Sequence, residues 1–395
     1  TVAALGDDGL IGRSSNLCGA ARHFCLAAPG GVAVGGRAYT NLARAGGGYR
    51  TAYGTSYAAP YVSGALALMM QAFGDQLTLS EYAARLFASA DKEGPYADEA
   101  IYGQGVLDVE AALQPIGDLH IPLPGGGSVK PSDSGIDGGL IPPDVIERLR
   151  NEQIILLDRL NAPFTLDLNL LPPEHFNIDL IDWLTRKQNT NNPATHPFLA
   201  EFAQAGEGRK LGDVWKVMPV ALRRTETRPG RQSTGSIGFA ATLRNPAGRF
   251  ELGYVGEMNG LMNSEGEGAL KLGASHSALF SLGRDIDLRP GFTLSLDAHF
   301  AFSRLGADSE SLIRGTDPAL SSAFDVALDF DHTKVQISQP TYFETGALKL
   351  ARPYKKQAAG SVLFEEDKLS LRSPSRPVLF SLTHQRGVNR IGFKV

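Results

Sequence analysis

Charge is the first thing this chain is short of. Of 395 residues, 42 are acidic and 38 basic, which leaves 20% charged and a formal net charge of −4. No basic excess is available to neutralise a phosphate backbone, so a nucleic-acid partner is not expected. Long apolar runs are also missing. No stretch approaches the roughly 18 consecutive apolar residues of a membrane-crossing helix, and Thr1 is not followed by the basic-then-apolar pattern of an export signal. Cysteine is nearly absent. Cys18 and Cys25 are the two present, and their spacing fits neither a CxxC redox pair nor a zinc pair. They suit a local disulfide, which would imply an oxidising compartment; the alternative is two reduced, buried thiols. No acidic cluster has calcium-loop spacing, so no metal and no cofactor is expected. What the chain has in quantity is glycine (45) and proline (23), and with them many turns.

The most informative stretch is Gly54-Thr55-Ser56-Tyr57-Ala58-Ala59-Pro60-Tyr61-Val62-Ser63-Gly64, which runs on into Ala65–Met70. A run that is apolar all round predicts a buried helix, ending at Gly74 after Phe73. Ser56 falls where that helix begins. Backbone N–H groups at a helix start lack intrahelical acceptors, and the dipole favours negative charge there. A serine oxygen so placed can attack a carbonyl while its own N–H helps to hold the oxyanion. The bland alternative is a serine capping a core helix.

These eleven residues closely resemble the nucleophile motif of the subtilisin-like serine proteases (subtilases), Gly-Thr-Ser-x-Ala-Ala-Pro-x-Val-Ser-Gly. The resemblance implies an α/β domain of which Thr1–Gly117 is the C-terminal part, with Ser56 as nucleophile. Ser15–Gly19 and Phe24–Gly30 are similar to the approach to that serine in subtilases carried on autotransporters, which have this Cys pair. Tyr102-Gly103-Gln104-Gly105 to Leu113 resembles the closing turn and final helix. In subtilases the triad Asp and His, and the oxyanion Asn, precede the serine by far more than the residues available here. They are therefore expected upstream of this chain. His23, Asp7 and Asp8 lack the family's contexts and are not expected to replace them. The chain alone is expected to be inactive.

Beyond the motif, Thr78 or Ser80 should cap a second helix through Glu81 to Ala90. Residues 118–145 have linker composition, within a wider region of linker and short helices over 118–212. A helix is predicted over Asp144–Leu157, a strand over Asp158–Leu168 and a helix over Phe176–Lys187; His175 and His196 stand alone. From Asp213 the apolar period becomes 2. Phe292, Leu294, Leu296, Ala298, Phe300 and Phe302 alternate with Thr293, Ser295, Asp297, His299 and Ser303. Roughly nine such strands predict an all-β antiparallel meander over 213–395, with one apolar and one polar face. Either the apolar face looks inward, as in a soluble sandwich or open sheet, or it faces lipid, as in an outer-membrane barrel.

Protease unit, linker and β-hairpins resemble the layout of serine-protease autotransporters, which favours the barrel. That resemblance implies a secreted or outer-membrane location in a Gram-negative bacterium, a peptide or protein substrate, and membrane association through the β-domain. The rival is a non-catalytic surface module with an inactive protease remnant.

Overall fold

The computed structural model describes residues 1–34, 37–39, 42–43, 49–50, 53–137, 141, 143–168, 203–205, 209–211, 215–222, 236–262, 264–330, 333–372, 376, 378–384 and 390–394. The predicted helix Phe176–Lys187, with His175 and His196, lies outside them. The chain divides into two compact units: Thr1–His120 with Ile155–Thr165 and Tyr354–Leu363, and the remainder.

In the first unit, strands Val2–Leu5 and Leu26–Pro29 pair in parallel, with Val2 opposite Leu26 and Leu5 opposite Pro29. Both are nearly all apolar, as strands covered on both faces must be. Cys18 and Cys25 form a disulfide. Gly103 (φ +66) turns the chain directly over it, and a side chain there would strike the Cys25 carbonyl and the Cys18 sulfur. The helix α1 (Thr55–Phe73) packs across the two strands and ends at Gly74 (φ 58), whose N–H bonds the Met70 carbonyl. It is not buried all round as its composition predicts. Ala58, Ala65, Met69 and Phe73 are buried, whereas Tyr61, Leu68 and Met70 are exposed. The reason is coverage: among the described residues of this unit, the strands and the next helix pack on one side of α1.

The helix α2 (Leu79–Ser89) opens with a capping box, in which Thr78 and Glu81 satisfy each other's backbone N–H groups. Its Arg85 is fully buried. Nη1 pairs with Asp158 Oδ2 at 2.5 Å, and Nε donates to the Ala112 carbonyl at 2.6 Å. The guanidinium lies 5.0 Å from the Phe73 ring and 5.3 Å from the Phe164 ring. A guanidinium can be buried here because each of its nitrogens has an acceptor, Nη2 donating to the Gln114 carbonyl, and two aromatic rings that pack edge to face flank it.

Two predicted elements differ from what is observed. The helix expected over Asp144–Leu157 is Pro143–Arg150; Gln153–Leu157 is a strand. Consecutive Ile154 and Ile155, both β-branched, favour the pleated form. The strand expected over Asp158–Leu168 is Pro163–Asp167. Asp158 to Ala162 is instead a turn: the Asp158 carboxylate accepts the Leu160 and Ala162 N–H groups, and Asn161 takes φ 60.

The second unit is dominated by an eleven-stranded antiparallel sheet. Its central strands are Ser236–Asn245, Gly248–Glu257, Ser275–Arg289, Phe292–Leu305, Ala319–Phe330 and Thr333–Phe343, each paired with the next. Among the described residues the sheet is open; its order runs from Ala203–Ala205 to Arg390–Lys394 without a pairing between those ends. The predicted strands at Leu348 and Leu369 belong to a separate three-stranded sheet.

Burial differs between the two faces of the sheet. The enclosed face carries Glu251, Ser277, Ser281, His299, Ser303, Ser321 and Asp325. His299 Nδ1 meets Ser281 Oγ at 3.1 Å, and Ser277 and Ser303 share a hydrogen bond of 2.8 Å. The opposite, exposed face carries Phe239, Leu252, Tyr254, Leu282, Leu296, Phe302 and Phe324. The enclosed face also holds Val255, Leu279, Ala301 and Leu305, so it mixes polar and small side chains with a few hydrocarbon ones, while the exposed face is mainly apolar.

Candidate active site

Ser56 lies in the first turn of α1 and is exposed. Gly54 makes that position possible. It holds φ 140 and ψ 174, a conformation open to glycine, and no side chain caps the helix in its place. Its carbonyl accepts the N–H groups of Tyr57 (2.9 Å) and Ala58 (3.3 Å), while its own N–H bonds the Gly30 carbonyl at 2.8 Å. Gly30 follows directly on the strand Leu26–Pro29. The start of α1 is thereby tied to the carboxyl end of the parallel strand pair, where open α/β sheets place their ligands.

The first N–H groups of α1, that of Ser56 among them, have no acceptor within the helix and point out of its N-terminus. Pro60 stands four residues after Ser56 and has no N–H, so the Ser56 carbonyl also lacks its helical donor. The local backbone is thus freed at both groups of Ser56. Its hydroxyl makes no hydrogen bond with any described residue. An exposed serine oxygen, a partial positive charge at the helix start and unused N–H donors form half of an acyl-transfer site. The other half, a base, is not brought to it by the described residues. His23 is exposed on the short helix Gly19–Phe24. Asp8 accepts the Leu10 N–H at 3.0 Å within a surface turn.

Sequence reasoning found the serine, the glycine before it and the helix end. It took Ala28-Pro29-Gly30 only as part of a likeness. The structure gives Gly30 a physical task, since it receives the Gly54 N–H, and a side chain there would collide with Ala4.

Residues 1–105 match the Subtilase family. Among curated proteins, Serotype-specific antigen 1 of Mannheimia haemolytica is 30% identical over 103 residues, covering 26% of this chain and 11% of that protein. The chain therefore spans about a tenth of the length of that relative. No solved structure matches. The match ends within the first unit and leaves the long sheet outside it.

Proposed function

We propose that this chain is the nucleophile-bearing part of a secreted or cell-surface subtilisin-like serine endopeptidase. Ser56 attacks the peptide carbonyl and its N–H helps to hold the oxyanion. A histidine upstream of this chain takes the Ser56 proton, an upstream aspartate orients that histidine, and an upstream asparagine is the second oxyanion donor. The proton passes to the leaving amine, and water then hydrolyses the acyl-enzyme. The observation that carries this reading is the exposed hydroxyl of Ser56 at a helix start, inside the Gly-Thr-Ser sequence. The Cys18–Cys25 disulfide supports an oxidising compartment.

The long sheet supports a second element of the reading, an outer-membrane location. Its exposed face is mainly apolar and its enclosed face is rich in small and polar side chains, with Val255, Leu279 and Leu305 among them, the arrangement of strands surrounded by lipid. Between Phe292 and Phe302 the outward row is Phe, Leu, Leu, Ala, Phe, Phe, and Arg304 follows. That row spans roughly 34 Å along the strand at about 3.4 Å per residue. At a tilt of about 40° it covers roughly 26 Å, the height of an outer-membrane apolar band.

The test is a fluorophosphonate probe applied to two proteins: this chain, and this chain preceded by its upstream reading frame. The longer protein is expected to label, and Ser56→Ala to abolish labelling; the chain alone is expected not to label. A longer protein that stays unlabelled would favour a non-catalytic surface module.

A further inference from the structure

The family match ends at residue 105, but the unit that carries Ser56 does not. Two later pieces of chain belong to that unit, Ile155–Thr165 and Tyr354–Leu363. Both are fastened to residues 1–117 through buried groups.

The first piece supplies Asp158. Its carboxylate accepts Arg85 Nη1 at 2.5 Å and the Ile116 N–H at 2.9 Å. The Arg159 N–H donates to the Ile116 carbonyl at 3.1 Å. Phe164 packs edge to face on Phe73 with ring centres 5.7 Å apart, and Ala162 is fully buried in the same core. The second piece supplies two lysines. Lys355 Nζ meets Asp75 Oδ2 at 2.9 Å on the surface. The Lys356 side chain is 1% exposed. Its Nζ donates to the Gln76 carbonyl at 2.8 Å and to Glu81 Oε1 at 3.2 Å, and its N–H donates to Gln76 Oε1 at 3.1 Å. Gln76 ends the short helix Gly74–Gln76 between α1 and α2. Lys356 therefore fastens the joint between the helix that carries Ser56 and its capped neighbour.

Withdrawing the first piece would leave the Arg85 guanidinium without its counter-charge and open Phe73 to water. Withdrawing the second would give up the three Lys356 hydrogen bonds, two of them made by an ammonium group. The two cysteines of the chain are joined to each other within residues 1–117, so all these ties are non-covalent. We propose that residues 1–117 stay bound to the rest of the chain after the linker that follows them is cut, so that the peptidase part is retained and not shed. Its partner is the pair of later pieces, Ile155–Thr165 and Tyr354–Leu363. Retention does not depend on Ser56 being a working nucleophile.

The test inserts a recognition sequence for a site-specific protease between Gly117 and Asp118, both exposed, in the full chain with a C-terminal affinity tag. After cutting in mild detergent, the share of residues 1–117 left on the affinity resin is followed with time. The native fragment is expected to stay through washing and to leave in urea. Lys356→Ala should speed its loss several-fold, and Asp158→Asn should speed it further. Lys356→Ala decides the matter if Asp158→Asn does not fold. Lys368→Gln, which breaks an exposed pair with Asp317 outside this unit, should change nothing. Prompt loss of the native fragment would overturn the proposal. So would a slow loss that Lys356→Ala leaves unchanged, because other contacts would then hold the fragment. Neither result bears on the labelling of Ser56, so the catalytic reading stands or falls separately.

Discussion

In the unit built on Thr1–His120 the Phe73 side chain is 4% exposed; on the long sheet Phe302 is 60% exposed while His299 is 1% exposed. Both units are rich in alternating or periodic apolar residues, so apolar content alone does not distinguish them. They differ in what the enclosed side must satisfy. The first unit encloses hydrocarbon and admits a charge only where its partners are complete, as at Arg85. The sheet encloses hydroxyls, carboxylates and an imidazole beside a few hydrocarbon side chains such as Val255 and Leu279, and leaves its large aromatics outward. One chain therefore holds two senses of inside, and substitutions of the same kind should act differently in each.

The largest expected effect is in the first unit. The Asp158 carboxylate accepts Arg85 Nη1 and the N–H groups of Ile116, Leu160 and Ala162, between 2.5 and 3.0 Å. Asp158→Ala leaves the buried guanidinium without its counter-charge and releases the turn it organises. A loss of about 3–5 kcal/mol is expected, because removing one partner of a buried pair strands the other. Urea unfolding of the chain measures it. A loss below about 1 kcal/mol, the worth of a surface pair, would remove the distinction drawn for this unit.

Next in size is a charge placed on each exposed apolar surface. Ala298 is on the outward face between Leu296 and Phe300. Ala298→Arg should cost about 2–4 kcal/mol when the chain is in a bilayer and near the midplane. Leu68→Arg, on the exposed side of α1, should shift the stability of this chain by no more than about 0.5 kcal/mol. Comparing refolding yields in vesicles and urea midpoints in water separates the two. Equal, small effects at both positions would mean that the outward face of the sheet meets water.

How much of this was legible beforehand depended on whether the signal was local. The stop at Gly74, the cap at Thr78 and the serine at the helix start are each written within a few residues, and each stands where the residues place it. The period-2 pattern of Phe292–Phe302 identified a two-faced strand, but which face is enclosed depends on what lies opposite, and alternation carries no such information. The exposed side of α1 was misread for the same reason, since composition reports apolarity and not coverage. The helix predicted to Leu157 ended at Arg150 because a strand of β-branched residues competed with an apolar spacing that fits both periods. The Arg85–Asp158 pair joins residues 73 positions apart, and no local pattern marks it.

The smallest effect sharpens the comparison at a single carboxylate. Glu81 closes the capping box of α2: its Oε2 accepts the Thr78 N–H at 2.7 Å and the Thr78 hydroxyl at 2.9 Å, and its Oε1 accepts Lys356 Nζ at 3.2 Å. Burial alone would push this carboxyl up, but the Thr78 and Lys356 hydrogen bonds and the Lys356 charge outweigh it and hold the pKa below the ordinary glutamate value. A carboxylate depressed in the folded state adds stability above its unfolded pKa, and that stability is lost as pH falls through the folded value. Glu81→Ala should therefore cost about 1 kcal/mol near neutrality, the usual worth of such a cap. The difference from the native chain should shrink steadily as pH falls below about 4.3, the ordinary glutamate value. Urea midpoints taken across that acid range provide the check. A difference that stays constant with pH would show that Glu81 acts by packing alone. The first unit would then hold its partly buried carboxylate as the sheet holds its serines, by shape and hydrogen bonding without charge.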